Sequence, residues 1–168
     1  FVNTNLNAQT NINSVVDYLN SYKKDSLQTA TKFSKLVNQG GMGRMQPLDS
    51  LNINILHKLS RKSSLMGMNA NQIVLGMLTR PTIWRDVKMI SVRTPKLKKL
   101  LGISKNRKFI AFSEVLKGNK YLLKKYVEKA NATAPNKRGT FENDLIKVDE
   151  RLNIAYMIYY EDIFKIFP

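Results

Sequence analysis

The chain has 168 residues, of which 43% are hydrophobic, which is enough for a folded core and too many for a disordered chain. It contains no cysteine, which excludes disulfides, thiol catalysis and thiolate metal sites. Its net charge of +16 at pH 7 favours an anionic partner: nucleic acid, anionic lipid headgroups, or an acidic ligand or protein.

The beginning of the chain is expected to be loose and then helical. Residues 1–13 are rich in Asn and Thr and predict a loose N-terminal segment. From 14 to 38 the apolar residues recur at spacings of three and four, which predicts a helix with a break near Lys24–Ser26. Gly40 and Gly41 can adopt a positive φ and should end this helix.

Four short helical segments are expected next. A helix should begin at Pro47, and the stretch Ser60–Gly67 should break it. Asn69 is a suitable cap for a second short helix. Pro81–Trp84 should form a turn or a short helix, and Thr94–Pro95 should start the fourth segment, with Thr as cap and Pro at the first helical position.

The second half combines two short strands with two longer helices. Lys88–Val92 and Lys108–Phe112 each have the character of a short extended run. Asn119–Ala132 predicts a helix, and Thr140–Ile163 is the clearest helix of the chain, because its apolar residues repeat every three or four positions. The predicted fold class is mainly α: a compact multi-helix domain with at most one small two-stranded β element.

The whole chain, residues 1–168, is interpreted as one domain. It starts at Phe1 rather than Met and ends on the apolar stretch Ile163–Pro168, so we expect a domain excised from a larger membrane protein. The longest apolar runs, such as Ile154–Tyr160, fall well short of the roughly 18–20 residues that a membrane span needs. Any span is therefore expected outside this sequence.

Most of the positive charge lies in one stretch. From Lys88 to Lys125 there are twelve Lys and Arg residues and a single acid, Glu114, which leaves +11. Ten of the twelve are Lys, which lacks the planar fork of Arg, and this favours a diffuse field over specific readout. We therefore expect a surface that faces lipid headgroups or an acidic protein. The candidate partner-binding residues are Lys96, Lys98, Lys99, Lys105, Arg107 and Lys108, together with Arg44 and Arg61.

A nucleic-acid-binding module is the second hypothesis for this stretch. Phe109, Phe112 and Tyr121 lie among the cations, and interleaved aromatic rings can stack on single-stranded bases. Phe109 and Phe112 also stand where core residues should, and burial is the favoured interpretation. The sequence contains no helix-turn-helix, RNA-recognition strand or zinc-finger pattern.

The sequence predicts no catalytic residues and no metal site. His57 is the only histidine, and a lone His without an orienting partner is more often structural or exposed than catalytic. Because Met and His can together ligate haem iron and several Met flank His57 in sequence, His57 is a candidate haem ligand, with Met as core filler the favoured alternative. Patterns for phosphate loops, dinucleotide binding, serine hydrolases and zinc proteases are absent.

Four stretches carry a family resemblance: Gly43–Leu51 (GRMQPLDSL), Leu59–Ser64 (LSRKSS), Gln72–Leu78 (QIVLGML) and Asp144–Asn153 (DLIKVDERLN). In this order they resemble the fused cytochrome c assembly proteins of the CcsB–CcsA (ResB–ResC) type, which belong to the system II route of cytochrome c biogenesis. The likeness covers about residues 43–168 and includes no diagnostic catalytic motif.

The resemblance implies an integral membrane protein that exports haem and joins it to the Cys-x-x-Cys-His motif of an apocytochrome. This chain would be an extracytoplasmic (periplasmic) domain at the inner membrane, supporting the reaction without catalysing it. Haem and apocytochrome c would be its partners through the parent protein. The family's haem-ligating histidines lie in or beside membrane helices and a Trp-rich external segment. Trp84 is the only Trp here and His57 matches no such motif, so no ligase residue carries over.

Five residues of the matching stretches have two alternative roles: Arg44, Pro47, Asp49, Arg61 and Lys62. In the structural role, which is favoured, Asp49 caps the helix that starts near Pro47. Arg61 would then form a salt bridge with Asp149 or Glu150. In the other role these residues line a contact surface.

Overall fold

The computed structural model describes most of the chain and gives the backbone alone for a few segments. The described residues are 3–40, 43–118, 120–160, 164, 166 and 167, with backbone alone at 3–13, 117 and 166–167. Their helices are α1 (Asn3–Asp25), α2 (Leu27–Phe33), α3 (Leu48–Ser60), α4 (Ala70–Thr79), α5 (Pro81–Trp84), α6 (Pro95–Leu100), α7 (Lys124–Ala132) and α8 (Thr140–Tyr159). The prediction of a mainly helical domain is confirmed.

The strands are only two or three residues long. They are β1 (Val37–Gln39), β2 (Met45–Pro47), β3 (Ser64–Leu65), β4 (Met68–Asn69), β5 (Ile90–Ser91), β6 (Phe109–Ile110), β7 (Leu116–Lys117), β8 (Lys120–Tyr121) and β9 (Ile166–Phe167). The predicted pair is confirmed as β5–β6, antiparallel, with Ile90 opposite Ile110. The structure adds the hairpins β3–β4 and β7–β8 and the sheet β2–β1–β9, so its β content exceeds the single element predicted.

Local chain signals set several helix ends as predicted. Asn69 Oδ1 accepts a hydrogen bond from Gln72 N at 2.9 Å, and Gln72 Oε1 accepts one from Asn69 N at 3.2 Å. These two bonds form a capping box that starts α4. The predicted break near Lys24–Ser26 lies at Ser26, between α1 and α2. Pro47 is the cap of α3 rather than its first residue.

Four predicted boundaries are corrected by the structure. Helix α1 begins at Asn3, so the backbone from residue 3 to 13, expected to be loose, is helical. The helix expected to reach residue 38 ends at Phe33, because Val37–Gln39 pair with two other strands. The helix expected from Asn119 begins at Lys124, because the chain first forms the β7–β8 hairpin. The last helix ends at Tyr159; residues 161–163 of the expected range, like Gly41 and Asn119, lie outside the described residues.

Helix α4 lies at the centre of the core. It packs against α2, α3, α5 and α8, and its Ile73, Val74 and Met77 are fully buried. Trp84 of α5 is also fully buried and lies against Gly76 of α4. Helix α8 closes the core with four residues of its predicted apolar period, Leu145, Val148, Leu152 and Tyr159. Ala155 and Ile158 are buried beside them, whereas Tyr156, which the period also included, is exposed. None of the described helices is both long and apolar enough to cross a bilayer.

Candidate functional site

Two of the predicted partner-binding lysines line a cavity of about 550 Å³ between α6, α7 and α8. Lys96 and Lys99 extend from α6, and Lys129 joins them from α7. The Lys96 ammonium lies 4.5 Å from the ring centroid of Phe141, a distance at which a cation is attracted by an aromatic face. We call this the lysine cavity. It places positive charge beside aromatic surface on the outside of the domain.

Two other predicted partner-binding residues, Lys98 and Arg107, form hydrogen bonds within the domain. Lys98 is buried, and its ammonium donates a 2.7 Å hydrogen bond to the carbonyl of Lys105. Arg107 forms an ion pair with Glu114 and also donates from Nε to the carbonyl of Phe109 at 2.9 Å. Lys98 and Arg107 therefore stabilise the loop that connects α6 to β6.

The remaining cations of the predicted surface are exposed at separate places. Lys105 and Lys108 lie in that same α6–β6 loop with exposed side chains. Arg44 is exposed next to β2, and its carbonyl accepts a hydrogen bond from Gly40 N at 2.8 Å. Four exposed cations of the basic stretch therefore lie on the lysine cavity or the α6–β6 loop, and other exposed cations of the stretch lie elsewhere, namely Lys88, Arg93, Lys120, Lys124 and Lys125.

The aromatic residues of the basic stretch belong to the core or its edge. Phe112 is buried and makes an edge-to-face contact with Tyr159, with ring centroids 5.3 Å apart. Phe109 is half-buried and packs against the core. Tyr121 donates from its hydroxyl to Asp149 Oδ1 at 2.7 Å. The interpretation of Phe109 and Phe112 as core residues is confirmed.

His57 and Arg61 lie together in a second cavity, a cleft of about 500 Å³ between the C-terminal turns of α3 and the exposed face of α8. We call it the α3–α8 cleft. The lining residues used below are His57, Lys58, Arg61, Lys147, Glu150, Arg151 and Met157. His57 and Arg61 are close because Arg61 N donates to the carbonyl of His57 at 2.8 Å where α3 ends. Arg61 itself ends α3 in the left-handed conformation, with φ of 62°.

A smaller cavity of about 380 Å³ continues the cleft towards the start of α8. Arg61, Lys147 and Arg151 line both cavities, and Arg93 is added in the smaller one. His57 and Met157 line only the larger one, so they lie at the opposite end. The larger cavity alone is also lined by the cation Lys58 and the carboxylate Glu150, so its charge is mixed, whereas three cations line both cavities.

Arg151 is the most buried cation of the cleft. Its Nε donates to the carbonyl of Lys58 at 3.0 Å, and its Nη1 donates to the carbonyl of Ser91 at 2.6 Å. No described carboxylate lies within salt-bridge distance of it. Burial lowers the pKa of Arg151 below its usual value, the charge of Arg61 lowers it further, and the charge of Asp144 acts in the opposite direction.

The carboxylate of Asp144 accepts hydrogen bonds from residues at the start of α6. Its Oδ2 accepts hydrogen bonds from Thr94 N at 2.8 Å, from Thr94 Oγ1 at 2.9 Å and from Arg93 N at 3.2 Å. Asp144 thus anchors the two residues that precede α6, and the Thr94 side chain makes no capping hydrogen bond. The carboxylate that lines the smaller cavity is in this way already engaged with backbone amides.

Two proposed structural roles are corrected. Asp49 does not cap α3, since that cap makes no side-chain hydrogen bond; its Oδ1 instead accepts from Asn71 Nδ2 at 2.7 Å and ties α3 to α4. Arg61 forms no salt bridge with Asp149 or Glu150 among the described residues. Its charge faces the cleft, where Arg151 is its neighbour.

Sequence reasoning found His57 and Arg61 but missed the cations that face them. Lys147 and Arg151 are four residues apart on α8, which places them on one face, and that spacing was the available signal. Arg151 is buried and bonds to backbone carbonyls outside its own helix. Arg93 belongs to the basic stretch but was not among the candidate partner-binding residues. Its position beside α8 depends on how β5 packs, which the sequence does not indicate.

The described side chains of the α3–α8 cleft can attract an anion or ligate a metal, but they do not form a catalytic arrangement. No described side chain forms a hydrogen bond with the His57 imidazole that could orient it as a general base. Among the described residues there is also no group of three or more His, Cys, Asp or Glu that could hold a metal ion. What the cleft can do is hold an anion at the cations that line both cavities and offer one imidazole nitrogen to a metal carried by a ligand.

Comparison with known proteins connects the chain to one part of a larger protein. No protein-family model matches it. It is 47% identical over 152 residues to Protein NrfI of Wolinella succinogenes, and this alignment covers 90% of the chain but 17% of NrfI. Such identity over nearly the whole chain makes it a homologue of one segment of NrfI.

Proposed function

We propose that the chain is a non-catalytic extracytoplasmic domain of a system II cytochrome c biogenesis protein. In this role it supports the delivery of haem and its attachment to apocytochrome c. The observation that carries the proposal is the 47% identity to NrfI across 90% of the chain. The family resemblance of the four stretches within residues 43–168 points the same way.

The chemistry of the described residues favours support over catalysis. A nucleophile or a general base needs a partner that orients it, and His57 has no such partner among the described side chains. By contrast, the domain presents clustered positive charge at the lysine cavity and in the α3–α8 cleft. Charge of this kind steers and holds an anionic partner.

The lysine cavity suits an apocytochrome or a nearby anionic membrane surface. Lys96, Lys99 and Lys129 are flexible point charges, and Tyr126 and Phe141 beside them add apolar contact. Such a surface binds through electrostatic attraction and apolar contact rather than through bidentate hydrogen bonds. Binding of this kind suits an unfolded polypeptide as the partner. The extracytoplasmic location belongs to the same proposal, since that is where the resembling family attaches haem.

The test uses the complete gene that contains this segment, expressed in a host that lacks its own cytochrome c biogenesis proteins. Covalent haem on a reporter cytochrome, seen by haem staining after denaturing electrophoresis, is the expected result. A protease site inserted in the exposed loop at 134–137 should be cut in cells whose outer membrane has been permeabilised. A normally expressed protein that leaves the reporter without haem would overturn the role, and protection of the inserted site would overturn the location.

The matched variants probe the lysine cavity. Lys96→Gln combined with Lys99→Gln should lower the yield of haem-bearing reporter, whereas Lys124→Gln combined with Lys125→Gln removes the same charge from α7 and should not. The nucleic-acid hypothesis is tested with generic oligonucleotides. Tight binding that weakens steeply with added salt would support that hypothesis and count against ours.

A further inference from the structure

The smaller cavity of about 380 Å³, which we call the arginine cavity, has an excess of positive charge. One carboxylate, that of Asp144, and four cations line it, which leaves a net charge of +3; the cations are Arg61, Arg93, Lys147 and Arg151. Asp144 already accepts three hydrogen bonds from the two residues before α6. None of the four cations forms a salt bridge with a described carboxylate. The described part of the chain therefore leaves most of this charge without a partner.

Arg151 is the buried member of this group. It is 5% exposed, and its Nε and Nη1 donate to the carbonyls of Lys58 and Ser91. Its Nη2 donates to no described residue and is not enclosed by protein. A buried cation without an opposite charge is costly, and a bound anion offsets that cost. Arg151 thus gives the cavity a charged donor that the fold holds in position before a ligand arrives.

The other three cations come from three different elements and are exposed. Arg61 ends α3, Arg93 lies between β5 and α6, and Lys147 is on α8. Burial lowers the pKa of Arg151 most, the charges of Arg61 and Arg93 lower it further, and those of Asp144 and Glu150 act in the opposite direction. The cations of the cavity therefore repel one another, and an anion placed among them is attracted by all of them.

A phosphate monoester matches this lining better than a carboxylate does. It carries about −1.5 to −2 charge at pH 7 and has three acceptor oxygens, whereas a carboxylate has one charge and two oxygens. Guanidinium groups bind phosphate oxygens bidentately, and the Thr140 hydroxyl adds a neutral donor to the lining. A volume of about 380 Å³ lies near the lower end of the range of small-molecule sites, so the cavity has room for a phosphate and a small organic part.

We infer that the arginine cavity binds a phosphate monoester, with the phosphate oxygens at Arg61, Arg93, Lys147 and Arg151. The ester is either a small soluble molecule or a lipid headgroup that ends in phosphate, and both present the same group to these side chains. The inference goes beyond the proposed function, because it rests on the lining of the cavity and needs neither haem nor an apocytochrome.

The first arm of the test measures binding to the full chain by isothermal titration calorimetry. The ionic strength is held constant with chloride, because any salt screens the net charge of +16. Inorganic phosphate and glycerol phosphate should bind one-to-one with a Kd of about 1 mM or tighter and should raise the melting temperature. Succinate, a dicarboxylate, should bind about tenfold more weakly. Phosphate that does not bind, or that binds no better than succinate, would overturn the inference.

Arg61→Gly separates binding from stability, because the two should change in opposite directions. Arg61 has φ of 62° at the end of α3, where glycine is preferred, and its charge repels Arg151. The variant should therefore melt at a higher temperature than the wild type and bind phosphate about tenfold more weakly. A purely structural role of Arg61 predicts a change in stability alone, so an unchanged affinity for phosphate would contradict the inference.

A matched pair of variants tests whether the position of the charge matters. Arg93→Gln combined with Lys147→Gln should weaken phosphate binding at least about tenfold. The control, Lys124→Gln combined with Lys125→Gln, removes the same charge from α7 and should leave binding unchanged. Circular dichroism checks that both proteins fold. If the control loses as much affinity as the cavity variant, phosphate is held by the general charge of the domain and the inference fails.

The last arm identifies the source of the phosphate with phosphatidylcholine vesicles. One set contains phosphatidic acid, whose headgroup is a phosphate monoester, and the other contains phosphatidylglycerol, a diester, at equal surface charge. A preference for phosphatidic acid that the cavity variant loses and the control keeps would assign the site to a lipid headgroup. Binding of glycerol phosphate without such a preference would assign it to a soluble ester. Each outcome leaves the attachment of haem to a reporter cytochrome unaffected, so the two proposals fail separately.

Discussion

Arg151 of α8 and Ser91 of β5, sixty residues apart in sequence, are joined by a 2.6 Å hydrogen bond from the guanidinium Nη1 to the backbone carbonyl. The same guanidinium donates from Nε to the carbonyl of Lys58 in the last turn of α3. One side chain thereby holds a strand and two helices together. It also forms part of the wall of the α3–α8 cleft, so the stability of the domain and the charge of the cleft depend on the same residue.

Replacement of Arg151 by Met should therefore destabilise the domain. The buried carbonyl of Ser91 and the part-buried carbonyl of Lys58 would lose a charged donor. The variant also no longer buries a charge, which offsets part of this loss, and the expected net decrease in the free energy of unfolding is about 2 kcal/mol. Urea denaturation followed by circular dichroism measures it. Lys147→Met, at an exposed position one turn earlier on α8, is the control and should change stability by less than about 0.5 kcal/mol. Equal stability of the two variants would contradict the role given to Arg151.

Asp144 should be sensitive to the loss of its carboxylate. Asp144→Ala leaves Thr94 N and Arg93 N without their acceptor, and we expect a loss of about 2 kcal/mol in the free energy of unfolding. Asp144→Asn keeps one acceptor oxygen and should lose about half as much. The comparison of the two variants in urea separates the hydrogen bonds from the charge. A larger loss for Asn than for Ala would show that the hydrogen bonds of Asp144 do not stabilise the start of α6.

The sequence predicted those parts of the fold that local signals determine. The stripe of α8 follows from its apolar period, and the start of α4 follows from Asn69 and Gln72, which form their capping box within three residues. The β5–β6 pair was also found, because both segments are short extended runs.

The parts that were missed depend on contacts between distant segments. A strand of two residues such as β7 carries no periodicity, so its pairing is decided by the turn at Gly118, where φ is +61°. The partners of Arg151 are backbone carbonyls at positions 58 and 91, which have no side-chain signature. For the same reason the sequence identified one wall of the cleft, His57 and Arg61, and missed the facing wall on α8.

Replacement of Gly76 by alanine should destabilise the domain, although Gly→Ala substitutions inside helices usually stabilise proteins. Gly→Ala in a helix normally stabilises by up to about 1 kcal/mol. Here a Cβ on Gly76 would clash with the indole ring of Trp84, which is fully buried and cannot move aside. We expect Gly76→Ala to lower the free energy of unfolding by about 2–3 kcal/mol, measured in urea.

A second substitution tests whether the clash with Trp84 is the cause. Trp84→Phe makes room beside Gly76 and removes an indole N–H that has no hydrogen-bond partner among the described residues. In a double-mutant cycle, Gly76→Ala should therefore cost less in the Trp84→Phe background than in the wild type. Strict additivity of the two changes would rule out the proposed clash.

The buried tyrosines should make the domain less stable at alkaline pH. The Tyr159 hydroxyl donates to the carbonyl of Trp84 at 3.0 Å, and burial raises the pKa of this phenol above its usual value. Burial also raises the pKa of Tyr121, and the hydrogen bond to Asp149 raises it further. The folded state keeps these protons to a higher pH than the unfolded state does. The two phenols therefore contribute their full share to the free energy of unfolding below a pH of about 10, and this share is lost as the pH rises towards the folded-state pKa.

The measurement is the free energy of unfolding in urea between pH 8 and 11, for the wild type and for Tyr159→Phe. Lysine titration affects both proteins alike and cancels in the comparison. At pH 8 the variant should be less stable, because it lacks the hydrogen bond to Trp84. Above about pH 10 the wild type should lose stability faster, by up to about 1.4 kcal/mol per pH unit for this one phenol, so the two curves converge. Tyr159→Phe combined with Tyr121→Phe should flatten the alkaline decline further, and parallel curves across the range would show that the phenols are not held protonated by the fold.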